Sequence, residues 1–323
     1  METGRDISEK KTGELFGKLF PAYDDKAFLS SLELFKKRFE KNKFPLDWFR
    51  EKKCLDAGCG GGRYSIALSL LGASEVIGID LSESSIKDAR HRASQLCISN
   101  VEFIGGSAQN IPFPDNFFDC VILSGILQHV ANPCEVLEEI SRVTQHSGMV
   151  YMLVYATGGI RWPLVQMLRP IAHKIGFEVM DKMVASAGLQ VNRRRTYLDD
   201  LFVPYIDFYS WQCLKSMLRR CGFNKITRWQ AGRLDHEEDL DSYCNDLKGF
   251  LDLFRTDIQE MLGDLREYEI LIESAVKLCG SAVAYVEKVK EQVKDGVLSY
   301  DEGMEMVVGQ GHHRIVAWKN EEK

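Results

Sequence analysis

The chain has 323 residues, 45% of them apolar, with 41 Lys and Arg against 47 Asp and Glu for a formal net charge of -6. That length holds one large domain or two ordinary ones around a packed core, and the acidic balance argues against nonspecific nucleic-acid binding, which needs clustered cations. No run of about 18 apolar residues occurs, residues Met1 to Lys11 are polar and charged, and nine cysteines lie scattered without a CxxC pair, so the expectation is a cytoplasmic chain of reduced thiols with no integral membrane segment, secretory signal or metal site.

From Cys54 to Tyr155, short apolar runs alternate with amphipathic stretches, the pattern of βα units in a mostly parallel sheet. Strands are predicted near Lys53–Asp56, Glu75–Asp80, Val101–Ile104, Phe118–Ser124 and Met149–Tyr155. Between the last two, Asn132 reads as a helix cap with proline at the first helical position, Val136, Leu137, Ile140 and Val143 as one apolar face, and Gly148 as the stop. Alternation breaks at Gly158-Gly159 and resumes with a helix capped by Ser210, apolar at Leu214, Met217 and Leu218, followed by a strand near Lys225–Trp229. From about Glu237 to Lys294 the pattern is helical, with Leu265, Tyr268, Ile272, Ala275, Leu278 or Cys279, Ala282 and Val286 tracing a stripe that reads as extra core or as a homodimer face. A last apolar run, Arg314–Trp318, completes a doubly wound α/β sheet of seven strands.

The densest chemical signal is Leu55-Asp56-Ala57-Gly58-Cys59-Gly60-Gly61-Gly62-Arg63. Four glycines in five residues cost backbone entropy, so such a run marks a tight turn where a ligand approaches the main chain, at the carboxyl ends of the strands. A dinucleotide fingerprint, GxGxxG, needs glycine at position 63, but that residue is Arg63 and the pattern is GxGxG after an acid. The next strand ends at Asp80, whose carboxylate can accept hydrogen bonds from both hydroxyls of a ribose.

On these residues, with VIGIDLS (76–82), NIPFPDNFFDCVILSGILQHV (110–130) and NPCEVLEEISRVTQHSGMV (132–150), the stretch from about Tyr23 to Tyr155 resembles the class I S-adenosylmethionine-dependent methyltransferases. The branch is the one that includes ubiquinone, menaquinone and many small-molecule enzymes. The resemblance implies that Asp56, Gly58 and Gly60 hold the methionine end of S-adenosylmethionine, that Asp80 holds the ribose with Leu81 beside it in the cofactor site, and that Ser124, Gly125 and Ile126 line the methyl-donor pocket. Tyr23-Asp24 matches an upstream pair and implies that the N-terminal helix closes over the cofactor. Where the family usually has an acid and alanine against adenine, this chain has Ser107-Ala108, and Ser107 or Gln109 takes that role with a neutral hydrogen bond. The implied organisation is an N-terminal helical lid (1–50), a cofactor-binding core (51–157), a cap insertion (158–208), a core helix and strand (209–232), a helical insertion (233–311) and a final core strand (312–323).

Methyl transfer from a sulfonium is a displacement with a neutral leaving group, so the enzyme must chiefly align the nucleophile, with a base where the acceptor carries a proton. His129, after the fourth strand, is the leading candidate; it reads either as the base or as a brace for its loop. Residues 199–210 combine acids with aromatics, a composition suited to a cationic or amphipathic acceptor or simply to packing a lid, and Tyr205 and Asp207 are its candidate catalytic residues. The segment resembles an aspartate-to-proline element of some relatives, which usually have histidine where Asp207 stands. The apolar, basic stretch from Arg161 to Phe177 reads as an acceptor lid or a lipid contact. Arg193-Arg194-Arg195 reads as a solvated face or an anion site, and His312-His313 as structural or incidental. The expected function is methyl transfer to an oxygen or nitrogen of a small molecule. The alternatives are a quinone or lipid-like acceptor, or a cofactor-binding protein without turnover.

Overall fold

The computed structural model describes residues 4–19, 25–186, 191–229, 239–257 and 268–320. The chain divides into two compact units: Met1–Ala156 with Pro204–Arg233 and His312–Lys323, and Thr157–Val203 with Leu234–Gly311.

The first unit is built on seven strands: β1 (Lys53–Ala57), β2 (Glu75–Asp80), β3 (Val101–Gly105), β4 (Phe118–Ser124), β5 (Thr144–Tyr155), β6 (Phe223–Trp229) and β7 (His312–Lys319). Their order is β3-β2-β1-β4-β5-β7-β6. The first five run parallel, and β7 is antiparallel to both of its neighbours. Strands buried on both faces read as continuous apolar runs. In β4, Cys120 and Ile122 enter one core with Phe35, Phe39, Phe49 and Tyr151, while Val121 and Leu123 enter the other with Val136, Leu137 and Ile140. Consecutive strand side chains point to opposite faces, so one apolar run supplies both layers.

Helices α1 (Gly4–Leu19), α2 (Asp25–Lys41), α3 (Arg63–Leu70), α4 (Glu83–Gln95) and α5 (Pro133–Val143) belong to this unit. Phe28, Leu32, Phe35 and Phe39 recur at helical spacing on α2 and bury one face of it. Helix α5 buries the predicted Val136, Leu137, Ile140 and Val143, but its ends differ from expectation. The Asn132 side chain does not cap the backbone; its amide donates to Glu135 Oε1 at 2.6 Å. The helix stops at Val143 rather than near Gly148, because β5 begins at Thr144, whose Cα pairs with Phe118. Gly148 instead allows close approach within the strand: a Cβ there would lie 2.9 Å from the Gln145 carbonyl oxygen. The helix Trp211–Arg220 starts as expected, with Ser210 Oγ accepting from the Cys213 amide, and buries Leu214, Met217 and Leu218.

The second unit is helical, with helices Arg161–Ile175, Phe177–Ser186, Val191–Phe202, Leu240–Asp252, Glu269–Lys294 and Tyr300–Val307. Ala275, Cys279, Ala282 and Val286 of the long helix are buried, the last two in a cluster with Leu240, Tyr243, Leu247 and Met304. The apolar stripe therefore serves this unit's own core; Leu265 lies outside the described residues. Arg194 is part-exposed and paired rather than set to bind an anion: its Nε and a terminal nitrogen donate to Asp181 Oδ1 at 2.8 and 2.6 Å. The side chains of Arg193 and Arg195 lie outside the described residues. Among the described residues no helix is long and apolar enough to cross a membrane, and no group of three or more His, Cys, Asp or Glu is placed to hold a metal.

Candidate active site

The strand order reverses between β1 and β4, and in open α/β sheets ligands bind in the crevice beyond the strand ends at that point. The glycine loop leaves β1 there. The Gly58 and Cys59 amides donate to the Ile79 carbonyl at 2.7 and 3.0 Å, pinning the loop to the end of β2. Gly58 has φ +77°, and a Cβ on it would lie 2.1 Å from Ile126 Cδ1; at Gly62, φ is +80° and a Cβ would meet Phe103 and Ala89 at 2.8 and 2.9 Å. Both positions need glycine for conformation and for space.

The two acids serve the loop differently. Asp56 is buried, and its Oδ2 accepts from the Ser65 amide at 2.9 Å and from Ser65 Oγ at 2.7 Å. Burial pushes its carboxyl up to about 6, against the pull of the Ser65 hydrogen bonds. Its Oδ1 is buried without a hydrogen-bond partner among the described residues. Asp80 Oδ2 accepts from the Gly60 amide at 2.8 Å and Oδ1 from the Ser82 amide at 2.9 Å. Burial raises its pKa, opposed by those two bonds. A carboxylate has about four lone-pair sites, so Asp80 can hold the loop and still accept from a ligand.

One cleft brings eight of the predicted residues together. Gly58, Asp80, Leu81, Ser107, Ala108 and Gln109 line it with Ile126 and His129. Its space, open mouth included, is about 750 Å³. Asp56, Gly60, Ser124 and Gly125 are not among the lining residues: Asp56 holds Ser65 of α3, the Gly60 amide donates to Asp80, and the Gly125 amide donates to the Leu153 carbonyl at 2.9 Å. Tyr23 lies outside the described residues. Sequence reasoning missed Thr12, Gly13 and Phe16, which α1 brings to the cleft, and Val130 and Ala131 beyond His129. The available signal was Gly13 and Gly17, one turn apart: Cβ atoms there would lie 3.3 Å from Leu81 Cβ and 2.5 Å from Ser84 Oγ, so α1 seats closely on the β2–α4 turn.

His129 sits in a 3-10 turn, Leu127–His129, and is buried. Its Nδ1 donates to the Tyr205 carbonyl at 3.2 Å, and the Gln128 side-chain amide donates to its Nε2 at 3.4 Å. The rings of Phe16 and Tyr155 flank it with centroids 5.6 Å away. Tyr205 and Asp207 do not line the cleft. Tyr205 reaches His129 through its main chain, and Asp207 Oδ1 accepts from the Phe208 amide while the Asp207 amide donates to the Gln128 carbonyl, both at 2.9 Å. His313 is buried and donates from Nε2 to the Tyr209 carbonyl at 2.8 Å, a structural role as expected.

An adenosine carrying a sulfonium-linked amino acid suits this donor set. Asp80 can accept from the ribose, Ser107 and Gln109 offer neutral polar groups, Leu81, Ala108 and Ile126 offer apolar walls, and Gly58 leaves room that a methyl group would fill. Comparison with known sequences points the same way. A family described as a methyltransferase domain matches residues 49–190. A demethylmenaquinone methyltransferase of Geobacillus sp. (strain WCH70) is 33% identical over 147 residues, 45% of this chain and 63% of that one, so the chain spans less than two thirds of that relative. Another, from Staphylococcus haemolyticus, is 30% identical over 176 residues, 54% of this chain and 69% of that one. Among solved structures, the YcgJ protein of Bacillus subtilis is 18% identical with a TM-score of 0.49, covering 91% of this chain and 99% of that one. The family match over residues 49–190 covers the strands that carry the glycine loop and Asp80, and with the Staphylococcus relative covered over 69% of its length the chain belongs to the class I S-adenosylmethionine-dependent methyltransferase family.

Proposed function

We propose that this chain binds S-adenosylmethionine in the cleft beyond β1, β2 and β4 and transfers its methyl group to an oxygen or nitrogen of a small-molecule acceptor. The observation that carries the reading is that Asp80, Gly58 and His129 line one cleft. When bound, the cofactor supplies an electrophilic methyl group and a neutral thioether leaving group. Asp80 and the amides it orders hold the ribose end, Leu81 and Ala108 flank the base, and Ser107 and Gln109 offer it neutral hydrogen bonds. Phe16 and Ile126 keep water from the reacting atoms. His129 takes the acceptor's proton at Nε2, displacing the long contact from the Gln128 amide, a step worth about 100-fold or more in rate. Asp56 braces the loop through Ser65. Nine free thiols support a reducing, cytoplasmic setting.

A second reading, a quinone or lipid-like acceptor, draws support from the demethylmenaquinone methyltransferases among the relatives and from the apolar Phe16, Ile126, Val130 and Ala131 on the cleft wall. Incubation with methyl-labelled S-adenosylmethionine, soluble phenols and amines in one arm and detergent-dispersed naphthoquinols in the other, separates them. Label in the first arm, lost in His129→Ala, is the expected result. Label only in the quinols favours the second reading, and cofactor binding with no transfer in either arm favours a binding protein without turnover.

A further inference from the structure

We infer that the segment Pro204–Tyr209 fixes His129 as the Nδ1-protonated imidazole, leaving Nε2 as the acceptor nitrogen, and that Tyr209 and His313 are positioning residues for it. This rests on the reading of His129 as the proton acceptor, because a base must present a lone pair, and the opposite tautomer would present an N–H.

Two contacts assign the same tautomer from opposite sides of the ring. Nδ1 stands 3.2 Å from the Tyr205 carbonyl, which can only accept, so Nδ1 carries the proton. Nε2 stands 3.4 Å from the Gln128 amide nitrogen, a long contact in which Nε2 is the acceptor and which an acceptor's proton must displace. The hydrogen bond at one ring nitrogen sets the chemistry of the other.

The segment is tied to the His129 turn at three successive residues. Tyr209 Oη donates to the Leu127 carbonyl at 3.3 Å, the Asp207 amide donates to the Gln128 carbonyl at 2.9 Å, and the Tyr205 carbonyl takes the His129 proton. The segment is itself anchored on the sheet. The Tyr209 amide donates to the Tyr155 carbonyl of β5 at 3.0 Å, and the buried His313 of β7 donates to the Tyr209 carbonyl at 2.8 Å. Tyr209 is thus bound through its amide, its carbonyl and its hydroxyl, and it links the two strands to the turn that carries His129. Phe16 and Tyr155 flank the ring and limit its rotation.

The test is long-range proton–nitrogen correlation NMR on full-length protein labelled with nitrogen-15 histidine. The chain has seven histidines, and the His129 signals are identified by their loss in His129→Asn. The expected pattern for wild type is Nδ1–H with an unprotonated Nε2. Tyr209→Phe removes one of the three ties and should move the tautomer ratio about 2- to 10-fold toward Nε2–H, the scale of one net hydrogen bond. His313→Gln, which retains a side-chain donor, should keep the wild-type pattern. An Nε2–H pattern in wild type, or an unchanged ratio in Tyr209→Phe with native thermal unfolding, overturns the inference. The Nδ1–H pattern in a protein that fails to bind S-adenosylhomocysteine would instead sink the proposed function and leave the tautomer assignment standing.

Discussion

Alanine at Gly58 should close the cleft to its ligand while leaving the sheet standing. The position has φ +77°, in the left-handed region, which costs an ordinary L residue about 1–2 kcal/mol. The added methyl would lie 2.1 Å from Ile126 Cδ1 and 2.4 Å from its Cγ1, well inside the roughly 3.5–4.0 Å of carbon contact, so Ile126 must leave its rotamer. Forcing a side chain off its rotamer costs about 0.5–1.5 kcal/mol. Together these predict a loss of about 1.5–3.5 kcal/mol of unfolding free energy, read by urea denaturation. Ile126 lines the cleft, so its displacement should also weaken S-adenosylhomocysteine binding at least about tenfold by calorimetry, or about 1.4 kcal/mol. Gly105→Ala is the control: its φ is not positive, and a Cβ there meets nothing within 4 Å, so it should stay within about 0.5 kcal/mol of wild type. A Gly58→Ala protein that matches wild type in both stability and affinity would refute the steric reasoning.

Asp80→Asn replaces one acceptor facing the Gly60 or Ser82 amide with a donor and removes the charge, so S-adenosylhomocysteine affinity should fall by about 1–3 kcal/mol in calorimetry; unchanged affinity would mean that the ribose is held elsewhere. Asp56 carries a folded-state value of about 6 against an ordinary 3.8, so its contribution to stability is fully present below 3.8 and is lost as pH rises through 6. Urea denaturation should therefore show wild type losing up to about 3 kcal/mol relative to Asp56→Asn between pH 4 and 6, at about 1.4 kcal/mol per pKa unit, and parallel profiles would contradict the burial argument. His129→Ala should slow methyl transfer about 100-fold in the labelled-cofactor assay, whereas near wild-type turnover would make His129 a brace.

The strands and the glycine loop were legible because each rests on local chemistry. Cys120 to Leu123 must be apolar to fill two cores, and Gly58 and Gly62 must be glycine to turn beside Ile126 and Phe103. What the sequence hid depends on contacts between distant segments. Nothing local to Tyr205 says that its carbonyl, rather than its phenol, meets His129 76 residues away. The side chain of Asn132 could equally cap a helix or donate to Glu135, and only the structure chooses. The two helical insertions were read apart, yet Leu164 of the first packs with Leu240 and Val286 of the second in one core. Periodicity shows that a face is apolar, not which partner covers it.

The central claim is that the cleft built by Gly58, Asp80 and His129 is a site for S-adenosylmethionine. Titration calorimetry of the full chain with S-adenosylhomocysteine and, separately, with NAD tests it most directly. Saturable one-to-one binding of S-adenosylhomocysteine that weakens in Asp80→Asn, with no binding of NAD, is the predicted result. Binding of NAD with none of S-adenosylhomocysteine would contradict the account.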